Sequence, residues 1–329
     1  MKLVNILALI QAKLVNEPFV DAIENIILDA RKIKRGDLFI AFNESDIEEA
    51  IFNGAYAIVF DKPTQITDSE IAWIKVQDLE STLKKLLRFR LIEKEIQSYE
   101  SNEIILRLAQ QIITQSDFIT IDGRIKEIFL PLWNVEKGST ILFSSSLTDA
   151  TIFTDVKSIP NIIDNSIEIV EQTLFETSFT YSSKFYERQF ISPYFIPYLD
   201  KLFGLFKTLD INFRLKKFTQ LKHFEAVFIN KNIDITEFGL TDKVIIFEPN
   251  ITLINSQIKF LEQNASWAKI IYIIPKNETI SYDIKNIIKY KNENDIKKIL
   301  KNSDFNFALV VNSNKSILNK KITPQPALF

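Results

Sequence analysis

The chain has 329 residues, with 40 basic and 42 acidic side chains for a formal net charge of −2, and 46% of it is hydrophobic. That composition suits a soluble globular protein of two or three domains and leaves no basic footprint for DNA or RNA. The absence of cysteine excludes disulfides, thiolate metal sites, a Cys nucleophile and iron–sulfur clusters; the single histidine, His223, excludes multi-His metal sites and is the one candidate base for a Ser-His-Asp triad.

The opening MKLVNILALIQAKLVN holds one short apolar run, broken by Gln11 and Lys13, with no clear small-residue cleavage site. No signal peptide is expected. No stretch reaches about 18 apolar residues, so no membrane insertion is expected. Residues 23–28 and 37–42 are short apolar runs. Residues 46–52 have helical spacing, with Ile47, Ala50 and Ile51 on one face, and Gly54 stands where a C-cap glycine would end the helix. Residues 55–60 (AYAIVF) read as a buried strand, 72–76 repeat the pattern, and Leu79, Leu83, Leu86 and Leu87 make a helical stripe to about Arg90. This alternation argues an α/β unit with a largely parallel sheet.

Residues 92–101 read as a polar stretch at a domain boundary, followed by a helix at 103–114. Strands are expected at 118–121, 140–143, 167–170, 175–181 and 184–190, the last two as a pair; 144–166 has no clear period. Leu199, Leu202, Phe203 and Phe206 form a helical stripe after Pro193 and Pro197. The apolar segment 186–206 reads as core or as a partner surface. Strands at 243–247, 269–274 and 307–311 alternate with helices at 254–263 and 295–300, a small Rossmann-like domain. The lysines of 285–301 read as a solvated helix face or a basic patch. The tail from Asn312, with Pro324 and Pro326, is expected to be frayed or docked.

Residues 29–61 read DARKIKRGDLFIAFNESDIEEAIFNGAYAIVFD. This stretch resembles the N-terminal domain of the Mur ligases, above all the MurE and MurF types. Their pattern is D-S-R-x-[IV]-x-x-G-D-L-F-x-A, an acidic–glycine loop, then a helix ending x-x-G-A-x-A-[IV]-V. The matching residues are Asp29, Arg31, Ile33, Gly36, Asp37, Leu38, Phe39 and Ala41, then Gly54, Ala55, Ala57, Ile58 and Val59. Segments 179–213 and 243–275 are similar, more weakly, to the end of the family's central ATPase domain and the start of its Rossmann-like C-terminal domain. The resemblance implies an α/β protein of three domains: 1–97, an N-terminal domain of the kind that holds the uridine diphosphate end of a UDP-muramoyl-peptide; 98–239, a divergent central domain; and 240–329, Rossmann-like.

The departures concern the chemistry. None of the six glycines is spaced for G-x-x-x-x-G-K-[ST] or G-x-G-x-x-G. Lys137-Gly138-Ser139-Thr140 has a similar composition but precedes its strand, and a phosphate loop must follow one, so it reads as a turn. Ser144-Ser145-Ser146 reads as a capped turn or a weak anion site. Residues 192–197 keep neither the His nor the Asn of the family's adenine-contacting segment. His223 lies outside that region, so the family's magnesium-binding set is incomplete; a structural or incidental role is expected for it. Ala30 replaces a serine, and the loop Asn43-Glu44-Ser45-Asp46 is shorter than the family's.

The ligand-binding candidates are therefore Asp29, Arg31, Lys32, Asn43 and Ser45. Arg31 and Lys32 would meet a diphosphate; alternatively Arg31 pairs with Asp29 or Asp37. No catalytic residue, metal or cofactor is expected. The reading is a catalytically degenerate Mur-ligase-like protein of a bacterial cytoplasm, binding a UDP-muramoyl-peptide or cell-wall synthesis or cell-shape proteins. The alternatives are an active ATP-dependent ligase with a rebuilt ATP site, and a pure interaction scaffold.

Overall fold

In the computed structural model, which describes residues 1–161, 166–278 and 286–319, apolar runs become strands of four sheets. The chain divides into two units, Met1–Pro160 with Thr208–Phe213, and Asn161–Lys207 with Arg214–Phe329. No helix among the described residues is long and apolar enough to cross a membrane.

The first unit begins with α1 (Leu3–Ile10), β1 (Lys13–Leu14), β2 (Ile26–Ile27), β3 (Leu38–Ile40), α2 (Ile47–Phe52), β4 (Ala57–Phe60), β5 (Ala72–Lys75) and α3 (Leu79–Glu93). The sheet order is β1-β5-β4-β3-β2, parallel except for β1 at one edge. Side chains alternate between faces along each strand. Leu38, Ile40, Ala57, Val59, Ala72 and Ile74 enter one core, while Phe39, Ile58, Phe60 and Trp73 enter another with Ile47 and Ala50 of α2. Both faces are covered, so these strands are continuously apolar rather than alternating.

A second sheet follows: β6 (Gln97–Glu100), α4 (Glu103–Ile112), β7 (Phe118–Ile121), α5 (Ile125–Trp133), β8 (Thr140–Phe143) and β9 (Val156–Ser158). Its order is β7-β8-β6-β9, all parallel. In the polar stretch 92–101 a strand was not expected. The stretch contains β6, an interior strand, and residue 97 is that strand's first residue. Buried Ser98 satisfies its hydroxyl by donating to the Asp155 carbonyl at 2.5 Å, which lets a polar sequence occupy an interior position. The unpatterned stretch after 144 supplies β9; residues 162–165 lie outside the described set. Leu79, Leu83, Leu86, Leu87 and Leu91 of α3 join the core that Ile128, Phe129 and Leu132 of α5 also enter.

The second unit opens with a meander, β10 (Glu168–Gln172), β11 (Thr177–Tyr181) and β12 (Lys184–Gln189). Ser182 and Ser183 link β11 to β12 with φ of 48° and 61°, the two left-handed residues of a tight hairpin. Helix α6 (Ile196–Thr208) buries Ile196, Leu199, Leu202, Phe203, Leu205 and Phe206, so this part of 186–206 is core. Next come β13 (Glu225–Phe228), β14 (Val244–Glu248), α7 (Ile254–Asn264), β15 (Ile270–Pro275), β16 (Ile287–Tyr290), α8 (Glu293–Asn302), β17 (Phe307–Val311) and α9 (Ser316–Asn319). The order is β13-β14-β17-β15-β16, with β13 alone antiparallel. Strands β13 and β16 were not expected. The lysine-rich stretch near 285–301 is not one helix face: it holds β16 and then α8, which starts at an Asn292–Asp295 capping box. Within the tail, Ile317 of α9 is buried, so it is docked as far as Asn319; Pro324 and Pro326 lie outside the described residues.

Candidate functional site

The five candidate binding residues follow the carboxyl ends of two adjacent parallel strands, β2 and β3. Open α/β sheets place ligands at that edge. After β2, Asp29 caps a 3-10 turn, Ala30–Lys32, by accepting the Arg31 amide. Arg31 returns along its own cap: Nε meets Asp29 Oδ1 at 2.9 Å and Nη2 meets Oδ2 at 3.0 Å, a two-point fork. The sequence left Asp29 and Asp37 open as partners of Arg31, and the partner is Asp29. Asp37 is buried and instead accepts from the Lys34 amide and Asn25 Nδ2, holding the turn before β3. The Arg31 guanidinium holds the Asp29 carboxyl below its ordinary range, and Asp29 raises Arg31.

After β3, Asn43 Nδ2 donates to Asp46 Oδ2 at 3.1 Å and Ser45 Oγ to Asp46 Oδ1 at 3.1 Å. Asn53, at the end of α2, donates to the Ala30 carbonyl at 3.0 Å and draws the two loops together. Glu49 and Asp46 accordingly act electrostatically on Arg31. A residue not anticipated from sequence stands beside them: Lys126 of α5 places Nζ 3.4 Å from the centre of the Phe42 ring. Nothing local links positions 42 and 126, so this contact had no sequence signal.

The carboxyl edge of the second sheet has a different electrostatic character. Strand β6 passes into α4 through Ser101 and Asn102 alone. Ser101 is tied to the Phe143 carbonyl, and the Asn102 side chain accepts the Ile105 amide as the α4 cap. The first turn carries Glu103, paired at 3.7 Å with Arg107, which also binds Asp122 after β7. From β7 the chain enters α5 through Gly123, where φ is +132° and an added Cβ would lie 2.6 Å from Glu127 Oε2. That carboxylate accepts the Arg124 amide at 2.8 Å. Lys137–Thr140 forms the expected turn before β8, with Lys137 paired to Glu95 at 2.7 Å. Ser144 and Ser146 bond each other at 2.9 Å, and the segment leads to a three-residue 3-10 turn, Ala150–Ile152.

His223 is buried and pairs through Nδ1 with Glu248 Oε1 at 2.7 Å, at the end of β14. Glu248 also accepts the Phe224 and Asn250 amides and the Gln257 side chain. The arrangement ties the loop before β13, the end of β14 and α7 together, a structural role for the only histidine. In the segment 192–197, Ser192 caps a 3-10 turn and Tyr194 bonds Ser256 at 2.8 Å. Burial raises the Tyr194 hydroxyl well above its ordinary range.

Parallel sheets covered by helices, with loops gathered at the carboxyl ends, define an α/β protein of the multi-domain kind. Among solved structures, MurF from Acinetobacter baumannii is similar over 94% of this chain and 95% of that one, at a TM-score of 0.52 and 11% identity. MurF from Thermotoga maritima, in complex with ADP, is similar over 89% and 95%, also at 0.52, with 12% identity. The chain therefore has the multi-domain α/β fold of the Mur ligases, and at these identities the likeness is one of fold. No protein-family profile and no curated protein matches it.

Proposed function

We propose that this protein is a catalytically degenerate relative of the Mur ligases that serves peptidoglycan metabolism by binding. It would act in a bacterial cytoplasm, on a UDP-muramoyl-peptide or on proteins of cell-wall synthesis. The three-part division 1–97, 98–239 and 240–329 belongs to the same proposal, with the precursor's diphosphate at Arg31 and Lys32 and its polar groups at Asn43 and Ser45.

The observation that carries this reading is the β6–α4 junction. A polyphosphate bound at a helix N-terminus needs free amides and a cation. Here the cap is taken by Asn102, the first turn bears the Glu103 carboxylate, and the neighbouring Arg107 is shared between Glu103 and Asp122. At α5 the amide of Arg124 is likewise taken by Glu127. These residues do not fit magnesium–ATP. The N-terminal loops differ: Arg31 remains 75% exposed although forked to Asp29, so one face of its guanidinium faces solvent.

The test is calorimetric titration of the full chain with UDP-N-acetylmuramoyl-tripeptide, with and without magnesium–ATP. Heat with the precursor alone, unchanged by ATP, is expected. Heat that requires magnesium–ATP, or phosphate release, would overturn the reading in favour of an active ligase. Absence of heat throughout would replace the precursor with protein partners.

A further inference from the structure

A second cleft, of about 650 Å³, opens in the second unit at the amino ends of β14 and β17. Ligands of open α/β sheets gather at the opposite edge, and the cleft is independent of the proposed precursor site. Its walls are aromatic. Phe175 meets Phe228 at 5.9 Å and 81°, and Phe307 at 6.0 Å and 71°. Trp267 meets Phe307 at 5.9 Å and 72°, and Phe238 closes on Phe228 at 4.7 Å and 56°. Trp267 is 72% exposed, whereas Phe228 and Phe307 are buried.

The orientation of the rings selects the ligand class. The rings are steeply inclined to one another, by 56° to 81°, and form no parallel stack. A flat heterocycle needs parallel faces, whereas a rounded cation takes ring faces from several directions. Charge points the same way. The charged side chains lining the cleft are Glu176, Arg188 and Asp242. Arg188, held at a φ of 42°, pairs with the largely buried Glu176 at 3.2 Å. Asp242 makes no side-chain hydrogen bond or ion pair among the described residues and leaves the lining one negative charge in excess. The adjacent lysines are engaged elsewhere, Lys243 over the Phe305 ring and Lys269 on Asp304.

We propose that this cleft binds an organic cation, an alkylated or quaternary ammonium group, between the aromatic walls and Asp242. Trp73 and Trp133 are buried in the first unit, so a ligand-dependent change in tryptophan emission reports Trp267. The full chain is titrated with tetramethylammonium and with choline at constant ionic strength, beside the neutral neopentyl alcohol. A saturable change with a Kd of order 1 mM is expected for both cations, weakened about tenfold in Asp242→Asn and in Phe238→Leu. The neutral alcohol is expected to give no saturable change. Circular dichroism checks that each variant keeps its fold, and Asp242 is exposed, so its variant is the secure one. A linear response, an equal response to the alcohol, or undiminished binding by Asp242→Asn would overturn the proposal.

Discussion

Asp29 and Arg31 hold a fork across two positions of chain, which positions the arginine without burying it. An exposed pair of this kind contributes little to stability, so a ligand can share the guanidinium at small cost. Replacing Arg31 and Lys32 together by alanine is expected to leave the melting temperature unchanged within about 2 °C. The same double variant should weaken precursor binding at least tenfold by calorimetry, a loss of about 1.4 kcal/mol. Glu248 is the opposite case. It is fully buried and serves His223, two amides and Gln257. Glu248→Ala orphans all of them and should cost about 3–5 kcal/mol in a denaturant titration. Asp149 offers a test by pH. Lys84 and the Thr151 hydroxyl and amide lower its carboxyl to about 2. A depressed carboxyl stabilises the fold above its unfolded value of about 4, and that contribution fades as pH falls toward 2. Both partners are more than a third exposed, which limits the effect to below about 1 kcal/mol. Asp149→Asn should therefore melt about 2 °C lower at pH 7 and equal the parent near pH 2.

Elements show which local signals survive folding. Strands β4, β14, β15 and β17 were legible because strands buried on both faces are continuous apolar runs. Strand β6, sequence QSYE, was not, because its interior position is made by backbone pairing with β8 and β9 on either side. Strand β16, sequence IIKY, was hidden by Lys289 and the lysines around it: it lies at a sheet edge, where an exposed charged side chain is tolerated. Helix α5 was obscured by Pro131. At its start, Gly123→Ala should destabilise by about 1–3 kcal/mol, since φ of +132° strains any L side chain and the new Cβ meets Glu127. Asn102→Ala should cost about 1 kcal/mol through the α4 cap alone. Neither change is expected to alter precursor binding, because both lie at the second sheet's edge. Loss of binding in either variant at full folding would sink the assignment of the ligand to the β2 and β3 loops.

For the whole molecule, the division into two units has a measurable consequence. The first unit's core runs from α1 to Phe153, and a separate cluster in the second spans Val227 to Ile317. The emission shift of buried Trp73 and Trp133 therefore follows the first unit, while ellipticity follows both. Denaturant curves from the two probes are expected to differ, and coincident curves would show a single cooperative transition. What the sequence determined by itself was the α/β class, the identity of most buried strands and a set of glycine spacings that matches no glycine-rich phosphate motif, because periodicity, apolar runs and glycine spacing are local properties. It also marked Asp29, Arg31, Lys32, Asn43 and Ser45, which the structure brings to two adjacent strand ends. Only the tertiary structure decided that Arg31 pairs with Asp29, that Lys126 reaches Phe42, that Glu248 receives His223 and that aromatic rings from 175 to 307 wall one cleft. Those outcomes depend on sheet order and register, which bring together side chains that no spacing along the chain relates.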